Sequence, residues 1–335
     1  RSSRRARCMH LCAARRTRVV ASQLLGVWNR RVSMAAAGAK RPLDESASQI
    51  LKVALCQLEV GPDKSTNIAR ARKAIEEAAD AGAKLVCLPE CWNCPYGNKY
   101  FAEYSEKVPS AGEPAEASVS PSSAMLVEVA KAKGVYICGG SMPEKEGDKI
   151  YNSGVAVDSQ GSVLAKYRKV HLFDIDIPGK MTFKESDTLT PGDRPTVFDT
   201  PWGKMGAAIC YDMRFPELSM LMRAQGAKVI LFPGAFNTTT GPKHYELLAR
   251  GRAIDNQCFV VACSPARLPG FEYQAYGHST AVDPWGKVLV TCEEKPCIVY
   301  ADFDMAEVET FRTNVPISKQ KRPDIYSFGA AGDLM

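Results

Sequence analysis

An α-β-β-α sandwich, two mixed sheets between helix layers in one α/β domain, is the fold this sequence predicts. Three observations carry it. From residue 50 onward, short apolar runs alternate with segments whose apolar residues recur at helical spacing. Three hairpins interrupt that alternation, with "DSQG", "TPWG" and "DPWG" at their turns. A purely doubly wound sheet has no such hairpins, so each sheet must mix parallel and antiparallel neighbours. Finally, no internal repeat or linker divides residues 50–328.

The elements follow in order. "ILKVALCQLEV" reads as a strand closed by Gly61-Pro62. "KSTNIARARKAIEEAADAGA" places Ile68, Ala71, Ala74, Ile75 and Ala78 on one helical face, and Gly82 ends it as a C′ glycine would. "KLVCLPE" is the next strand. After an irregular stretch, "SAMLVEVAKAKG" is a helix with a glycine stop, and "VYICGGSMP" a strand. "YNSGVAVDSQGSVLAKYRKV" is the first hairpin. Residues 171–195, rich in Asp, Pro and Gly, read as a long loop, and loops this long in a compact domain are usually functional. "TVFDTPWGKMGAAICYD" is the second hairpin, "PELSMLMRAQGA" a helix and "KVILFPGAF" a buried strand. "HYELLARGRAIDN", "CFVVACSP" and "STAVDPWGKVLVTC" give helix, strand and third hairpin. "CIVYADFDMAEVETFR" ends in a strand and a helix.

Composition narrows the function class. Residues 1–43 hold ten Arg, one Lys and no acid, a charge of +11 out of a chain total of +6, so the remainder carries 6 − 11 = −5. A mildly acidic body without a basic stripe lacks the footprint of a nucleic-acid binder. No apolar run reaches the roughly 18–20 residues that span a bilayer. Residues 1–49, Arg-rich and acid-free up to Leu43, have the composition of a mitochondrial or plastid transit peptide, with a basic tail or translated untranslated sequence as the alternatives. Without such a leader the expected compartment is the cytoplasm. Residues 329–335 read as a short tail. The chain has 12 Cys, several inside apolar runs ("VALCQL", "LVCLPE", "FVVACS"), where a reduced thiol acts as a small hydrophobe. No phosphate-cradling motif points to a nucleotide cofactor.

Three residues at strand ends are candidates for chemistry. Cys210, in "GAAICYDMRFPEL", ends an apolar strand just before Pro216-Glu217 opens a helix. A thiol on such a turn projects from the sheet beside free backbone N–H groups and acts as a nucleophile; its alternative is one more buried hydrophobic Cys. Lys169, in "AKYRKVHLFDID", is either a buried cation for oxyanion or proton work or part of an exposed basic edge. Glu90 ends "KLVCLPE", where α/β sheets collect active-site residues, or is a capping carboxylate. Beside it, Cys91 and Cys94 make a Cys-x-x-Cys. No second such pair completes a zinc site, and His171, His244 and His278 are scattered.

Together, "LPE", "YRKVHL" and "ICYDMRFPE" resemble the nitrilase superfamily of carbon–nitrogen hydrolases, in the order Glu, Lys, Cys. The resemblance runs over about residues 50–328 and includes "RGRAIDNQCFVV" and "YGHSTAVDPWG". "FDIDIPGKMTFKESDTLTPGD", "PGAFNTTTGPKHYELLARGRAIDNQ" and "SPAR" look like its omega-amidase branch. The deaminated-glutathione amidase branch shares "CYDMRFPEL", with other residues expected around "FNTTTGP".

The resemblance implies a catalytic set of Glu90, Lys169 and Cys210, with Glu185 in "TFKES" as the superfamily's second glutamate. It implies a thioester on Cys210, an oxyanion held by Lys169 and the Tyr211 backbone N–H, and no metal or cofactor. The implied substrate is a small mono-amide of a short dicarboxylic acid, of the 2-oxoglutaramate or succinamate type, and the implied assembly a homodimer. Tyr96, Phe236, Asn237 and Arg214 are the candidates for contacting substrate. For Arg214 an internal pair with an acid such as Glu217 is the favoured alternative. Rival readings are another amide or nitrile on the same chemistry, and, in another class, a non-catalytic scaffold or a thiol redox protein.

Overall fold

The computed structural model describes residues 50–179 and 181–326. The expected leader (1–49) and tail (329–335) lie outside them.

Strand β1 (Ile50–Gln57) shows why the domain has layers. Leu51, Val53 and Leu55 point into a core shared by both sheets, while Ala54 and Cys56 point to the opposite face. Period-two alternation with both sets apolar is the signature of a sheet buried on both sides. Helix α1 (Lys64–Asp80) starts at Asp63, whose carboxylate accepts the Thr66 N–H at 2.6 Å. Its Ala71, Ile75 and Ala78 cover the outer face of that sheet with Leu126, Val129 and Ala130. The latter belong to α3 (Pro121–Lys133), which opens on a proline and ends on left-handed Gly134. A short helix, α2 (Asn98–Tyr104), lies in the stretch that reads as irregular in the sequence; it buries only Phe101.

The first sheet adds β2 (Leu85–Cys87), β3 (Tyr136–Cys138), β4 (Met142–Glu146), β5 (Lys149–Val157), β6 (Val163–Arg168) and β15 (Cys297–Asp304). Its order is β15-β1-β2-β3-β5-β4, with β6 on the free edge of β5. Pairings β1–β2 and β2–β3 are parallel; the others are antiparallel. The single strand expected over "VYICGGSMP" is two, β3 and β4, broken at Gly139–Ser141. Gly140 is left-handed (φ +61°), and a Cβ there would sit 2.2 Å from the Pro89 carbonyl. That close approach matters below, because Pro89 precedes Glu90.

The second sheet has β9 (Thr196–Thr200), β10 (Gly203–Ala207), β11 (Ala227–Pro233), β12 (Phe259–Cys263), β13 (Thr280–Val282) and β14 (Val288–Thr291), in the order β14-β13-β12-β11-β10-β9. Only β10–β11 and β11–β12 are parallel. Helices α4 (Pro216–Ala224) and α5 (Gly241–Asn256) bring Leu218, Met222, Tyr245, Ala249 and Ala253 into the same core as Val229–Phe232. Those four strand side chains are fully buried, each stabilising the fold by about 1.5–3 kcal/mol. Helix α6 (Ala306–Asn314) closes the chain against this core through Val308.

The loop expected over 171–195 contains a separate hairpin, β7 (Asp174–Ile177) with β8 (Met181–Lys184), and a turn at Glu185–Asp187. Its alternation of charged and half-buried residues, "DIDI" and "MTFK", marks it as a surface ribbon.

Candidate active site

Glu90 sits in a turn beyond β2 that is clamped to the β3–β4 break. The Ser141 N–H donates to the Pro89 carbonyl (3.1 Å), and the Trp92 N–H to the Ser141 carbonyl (3.2 Å). The Trp92 indole N–H donates to the Gly139 carbonyl at 2.7 Å. The Cys91 N–H donates to Ser141 Oγ at 3.1 Å. Glu90 is 1 % exposed, and both carboxylate oxygens have fixed donors. Asn152 Nδ2 donates to Oε1 at 2.9 Å and the Ala235 N–H to Oε2 at 2.7 Å.

Lys169 leaves β6 and is tied at both ends of its peptide: its N–H donates to the Asn152 carbonyl (2.9 Å), and its carbonyl accepts from Gly192 (2.7 Å). The ammonium lies 2.9 Å from Glu90 and 2.9 Å from Glu185, all three side chains without solvent exposure. Burial opposes the charge on Lys169, yet the Glu185 and Glu90 carboxylates outweigh it and hold the amine well above the usual lysine range. Glu185 is positioned in turn by the Phe173 N–H (2.7 Å) and the Tyr96 hydroxyl (2.6 Å).

Cys210 comes from the other sheet. The chain leaves β10 through Ala208 and Ile209, turns at Cys210 with φ +49°, runs through a 3-10 turn to Arg214, and enters α4 at Pro216. A left-handed non-glycine residue stores backbone strain and marks a sharp elbow. Gly234 packs behind it; a Cβ on Gly234 would lie 3.1 Å from Cys210 Cα. Burial, then the charge of the Glu90 carboxylate, push the Cys210 thiol well above its ordinary range, while Lys169 works in the opposite direction. The thiol thus rests protonated beside a carboxylate that can take its proton.

Asp212, inside the quoted "ICYDMRFPE" but not singled out in the sequence, joins the two sheets at this point. Its buried carboxylate accepts the Ile209 N–H (2.9 Å), the Val170 N–H (3.3 Å) and the His171 N–H (2.8 Å), and pairs with His171 Nδ1 at 2.8 Å. The elbow of Cys210 and the strand exit of Lys169 are therefore held by one side chain.

Cys210 opens into a small cavity lined by Phe173, Tyr211, Arg214, Phe236, Thr240 and Tyr273, among others. The expected Arg214–Glu217 pair is absent. Phe215 is extended (φ −103°, ψ 99°), so Arg214 and Glu217 do not share a helical face. Arg214 instead lies over the Phe236 ring (4.7 Å) and touches His244 Nδ1 at 3.1 Å. Burial, then the charges of Arg214 and Lys243, pull His244 below its usual value, so it accepts the Arg214 hydrogen bond as a neutral ring. Arg214 Nε is buried without a partner, and among the described residues no carboxylate lies within 4.0 Å of the guanidinium.

Two other candidates have different duties from those the sequence indicated. Tyr96 does not line this cavity but a neighbouring pocket that includes Glu90; it holds Glu185 and packs tilted against Tyr273 at 4.4 Å. Asn237 lines the cavity, but its Oδ1 accepts the Thr239 and Thr240 N–H groups at 2.9 Å each, and Nδ2 points to the Met181 sulfur at 3.3 Å. Its polar atoms are engaged in shaping the loop. Cys91 and Cys94 pack with Phe101 and Leu189 in a small buried cluster, and burial pushes the Cys91 thiol well up. Asn152, Tyr273 and the Ala235 N–H carry no sequence signal, because each acts through a fold-dependent approach.

Comparison with known proteins agrees with this geometry. The family model for carbon-nitrogen hydrolase matches residues 52–313. The chain is 52 % identical over 285 residues to "Omega-amidase, chloroplastic" of Arabidopsis thaliana, covering 85 % of this chain and 76 % of that protein. It is 50 % identical over 276 residues to "Omega-amidase NIT2" of Homo sapiens, covering 82 % and 96 %. The crystal structure of Saccharomyces cerevisiae Nit3, described as a member of branch 10 of the nitrilase superfamily, superposes with a TM-score of 0.74 at 45 % identity, covering 82 % of this chain and 97 % of that one. With a family match over most of the domain and relatives at half identity, this chain belongs to the carbon–nitrogen hydrolases, the nitrilase superfamily that its three strand-end motifs resemble.

Proposed function

We propose that this protein is an omega-amidase, hydrolysing the terminal amide of short dicarboxylic acid mono-amides to the dicarboxylate and ammonia. The observation that carries the reading is a cation without a carboxylate partner, Arg214, at the wall of the small cavity onto which Cys210 opens. The omega-amidase names of the relatives support it.

In this reading Glu90 takes the Cys210 proton as the sulfur attacks the amide carbonyl. Lys169 and the Tyr211 backbone N–H hold the oxyanion. Glu90 returns the proton to the departing ammonia and then takes one from the water that cleaves the thioester. Glu185 keeps Lys169 charged and aimed, and Tyr96 keeps Glu185 in place. Arg214 receives the distal carboxylate, with Phe236 and Thr240 along the substrate's flank. The ammonium between two carboxylates supports roles of this kind, since it can donate a hydrogen bond to an oxyanion without itself losing a proton.

The test is a rate comparison. Succinamate and butyramide have the same chain length and differ in the distal carboxylate. Ammonia release should be far faster from succinamate, by a few kcal/mol in kcat/KM, because a neutral chain leaves the Arg214 donors unpaired. Equal rates on both would sink the substrate assignment.

The same reading includes a homodimer. Leu247 and Ile254, two turns apart on α5, are 68 % and 46 % exposed, and Trp285, 50 % exposed, follows beside Gly286, whose Cβ position meets Ile254. Exposed apolar side chains grouped in this way fit a twofold contact. Leu247→Glu should shift the mass measured by light scattering to that of a monomer; an unchanged mass would place any contact elsewhere. The basic residues 1–49 are read as an organellar leader, in keeping with a relative named chloroplastic. Fusion of residues 1–49 to a fluorescent protein tests this, and a diffuse cytosolic signal would overturn it.

A further inference from the structure

Ten cysteines lie among the described residues, and eight of them are buried; Cys292 and Cys297 are the two that are not. They flank a four-residue connection, Glu293–Pro296, between β14 and β15. Both residues converge on Gln57. Gln57 locks them in place from both sides. Its backbone pairs with Cys297 in the β1–β15 register, and its Oε1 accepts from Cys292 Sγ at 3.3 Å. Cys297 also lines an open surface groove of about 790 Å³, together with Arg70 and Lys73.

The connection they flank supports the active-site loop. Gln57 Nε2 donates to the Glu293 and Lys295 carbonyls at 2.6 and 2.7 Å. The Glu293 and Glu294 carbonyls accept in turn from the His278 N–H (3.2 Å) and the Arg267 N–H (2.8 Å). These are the two ends of the loop that carries Tyr273. The Tyr273 hydroxyl donates to the Ala235 carbonyl, and the Ala235 N–H holds Glu90 Oε2 at 2.7 Å. Hydrogen bonds at both ends of the 267–278 loop, and from its Tyr273 through Ala235, thus lie between the dithiol and Glu90.

We infer that Cys292 and Cys297 are a reversible dithiol–disulfide site, oxidised by a small disulfide such as oxidised glutathione entering the Cys297 groove, and that closing the disulfide slows the amidase by shifting the Tyr273 loop. The chemistry balances as two thiol–disulfide exchanges. The Cys297 thiolate attacks one sulfur of the small disulfide, forming a mixed disulfide and releasing one thiolate. Cys292, deprotonated in the step, attacks Cys297 Sγ and releases the second. Two thiols of the protein are oxidised and one disulfide is reduced to two thiols. Burial pushes the Cys292 thiol up to about 12, and Cys297 is the thiol that lines the groove, which assigns the first attack to Cys297. Closing the bond draws Cys292 off Gln57 Oε1, and Gln57 is the side chain on which the Glu293–Lys295 carbonyls depend.

The slowing of turnover rests on the amidase reading; the disulfide does not. The full chain is incubated with oxidised glutathione, its free thiols are alkylated, and the peptide Val288–Arg312 is weighed. The expected product is two hydrogens lighter than the reduced peptide and takes no alkyl group. In parallel, kcat/KM should fall roughly tenfold, the scale on which small misplacements of catalytic groups act, and recover with dithiothreitol. Cys292→Ser and Cys297→Ser should each keep the reduced enzyme's activity and lose the response. Full alkylation of both thiols after oxidation would overturn the site. A disulfide formed with no change in rate, or an equal loss of rate in Cys297→Ser through oxidation of Cys210, would overturn its coupling to catalysis. The peptide mass reads the disulfide whichever amide proves to be the substrate.

Discussion

The Asp212 carboxylate accepts the His171 backbone N–H at 2.8 Å, across the boundary between the two sheets. The same carboxylate holds Ile209 N–H at 2.9 Å, one residue before the nucleophile candidate. Cys210 and Lys169 belong to different sheets, so their separation would otherwise depend on how the sheets happen to pack. Asp212→Asn keeps the shape but turns one acceptor into an N–H group that faces other N–H donors. It should cost about 1–3 kcal/mol of stability, read by thermal unfolding, since a buried donor is left unmade. Turnover should fall further, by roughly 10²-fold in kcat with KM little changed, because the reacting groups shift relative to each other. A variant that loses stability but keeps kcat would show that Asp212 only braces the fold.

Cys210→Ala should abolish ammonia release while the protein stays folded. The substitution removes a single sulfur at a strand end, and the backbone already tolerates the φ of +49° there. Cys94→Ala, in a buried cluster with Phe101 and Leu189, should lower the melting temperature and keep the reaction. Mass spectrometry of the enzyme quenched during turnover should find the acyl group on Cys210 alone. An acyl adduct on Cys91 or Cys94 would reverse the reading of "CWNC".

Much of this site can be read in the sequence because its three principal residues end strands whose burial pattern is strong. Glu90, Lys169 and Cys210 each follow an apolar or alternating run, and a run of that kind fixes both the strand and where it stops. The alternation of Leu51, Val53 and Leu55 against Ala54 and Cys56 likewise reveals a sheet covered on both faces. What escapes is whatever depends on approach across the fold. Asp212 receives Val170 and His171 from more than forty positions away, and Asn152 reaches Glu90 across sixty-two. Helix α2 is short and buries one side chain, so it has no periodicity to detect. The Arg214–Glu217 expectation fails for a local reason: three residues apart means neighbours only if the intervening backbone is helical, and Phe215 is extended.

Glu185→Gln should move the alkaline limb of the pH profile. In the native site two carboxylates outweigh burial and keep the Lys169 amine raised, with Glu185 the larger of the two. Removing that charge lowers the Lys169 value. The oxyanion support proposed for Lys169 needs the charged amine, so the variant's kcat/KM should decline as pH rises over a range where the native enzyme's does not. The stability sign runs the same way. A raised lysine contributes fully below its unfolded value, about 10.4, and loses the contribution as pH climbs through its folded one. Neutral-pH stability therefore reports the lost partner itself, about 3 kcal/mol or more for one member of a buried pair. An alkaline limb that stays in place in kcat/KM would mean that Lys169 does not need Glu185 to remain charged.

In the proposed reading, Arg214 decides what kind of amide the cavity accepts. The guanidinium lies over the Phe236 ring, one donor rests on a neutral His244, and Nε has no partner. A half-buried cation whose buried Nε–H has no partner and which has no counter-charge is costly to keep, and a substrate carboxylate would satisfy both needs at once. Arg214→Met retains much of the stem and removes the charge. Each charged hydrogen bond is worth about 1.5–3 kcal/mol, so kcat/KM on succinamate should fall roughly 10- to 100-fold or more. On butyramide it should hold steady or rise, since a neutral chain no longer strands the guanidinium. Arg214→Lys should recover only part of the succinamate rate, because a point charge cannot copy a two-pronged contact. The ratio of the two rates is the deciding quantity. If Arg214→Met slows both amides equally, Arg214 supports the Cys210 elbow and the carboxylate must be read elsewhere in the cavity, with Thr240 the next residue to change.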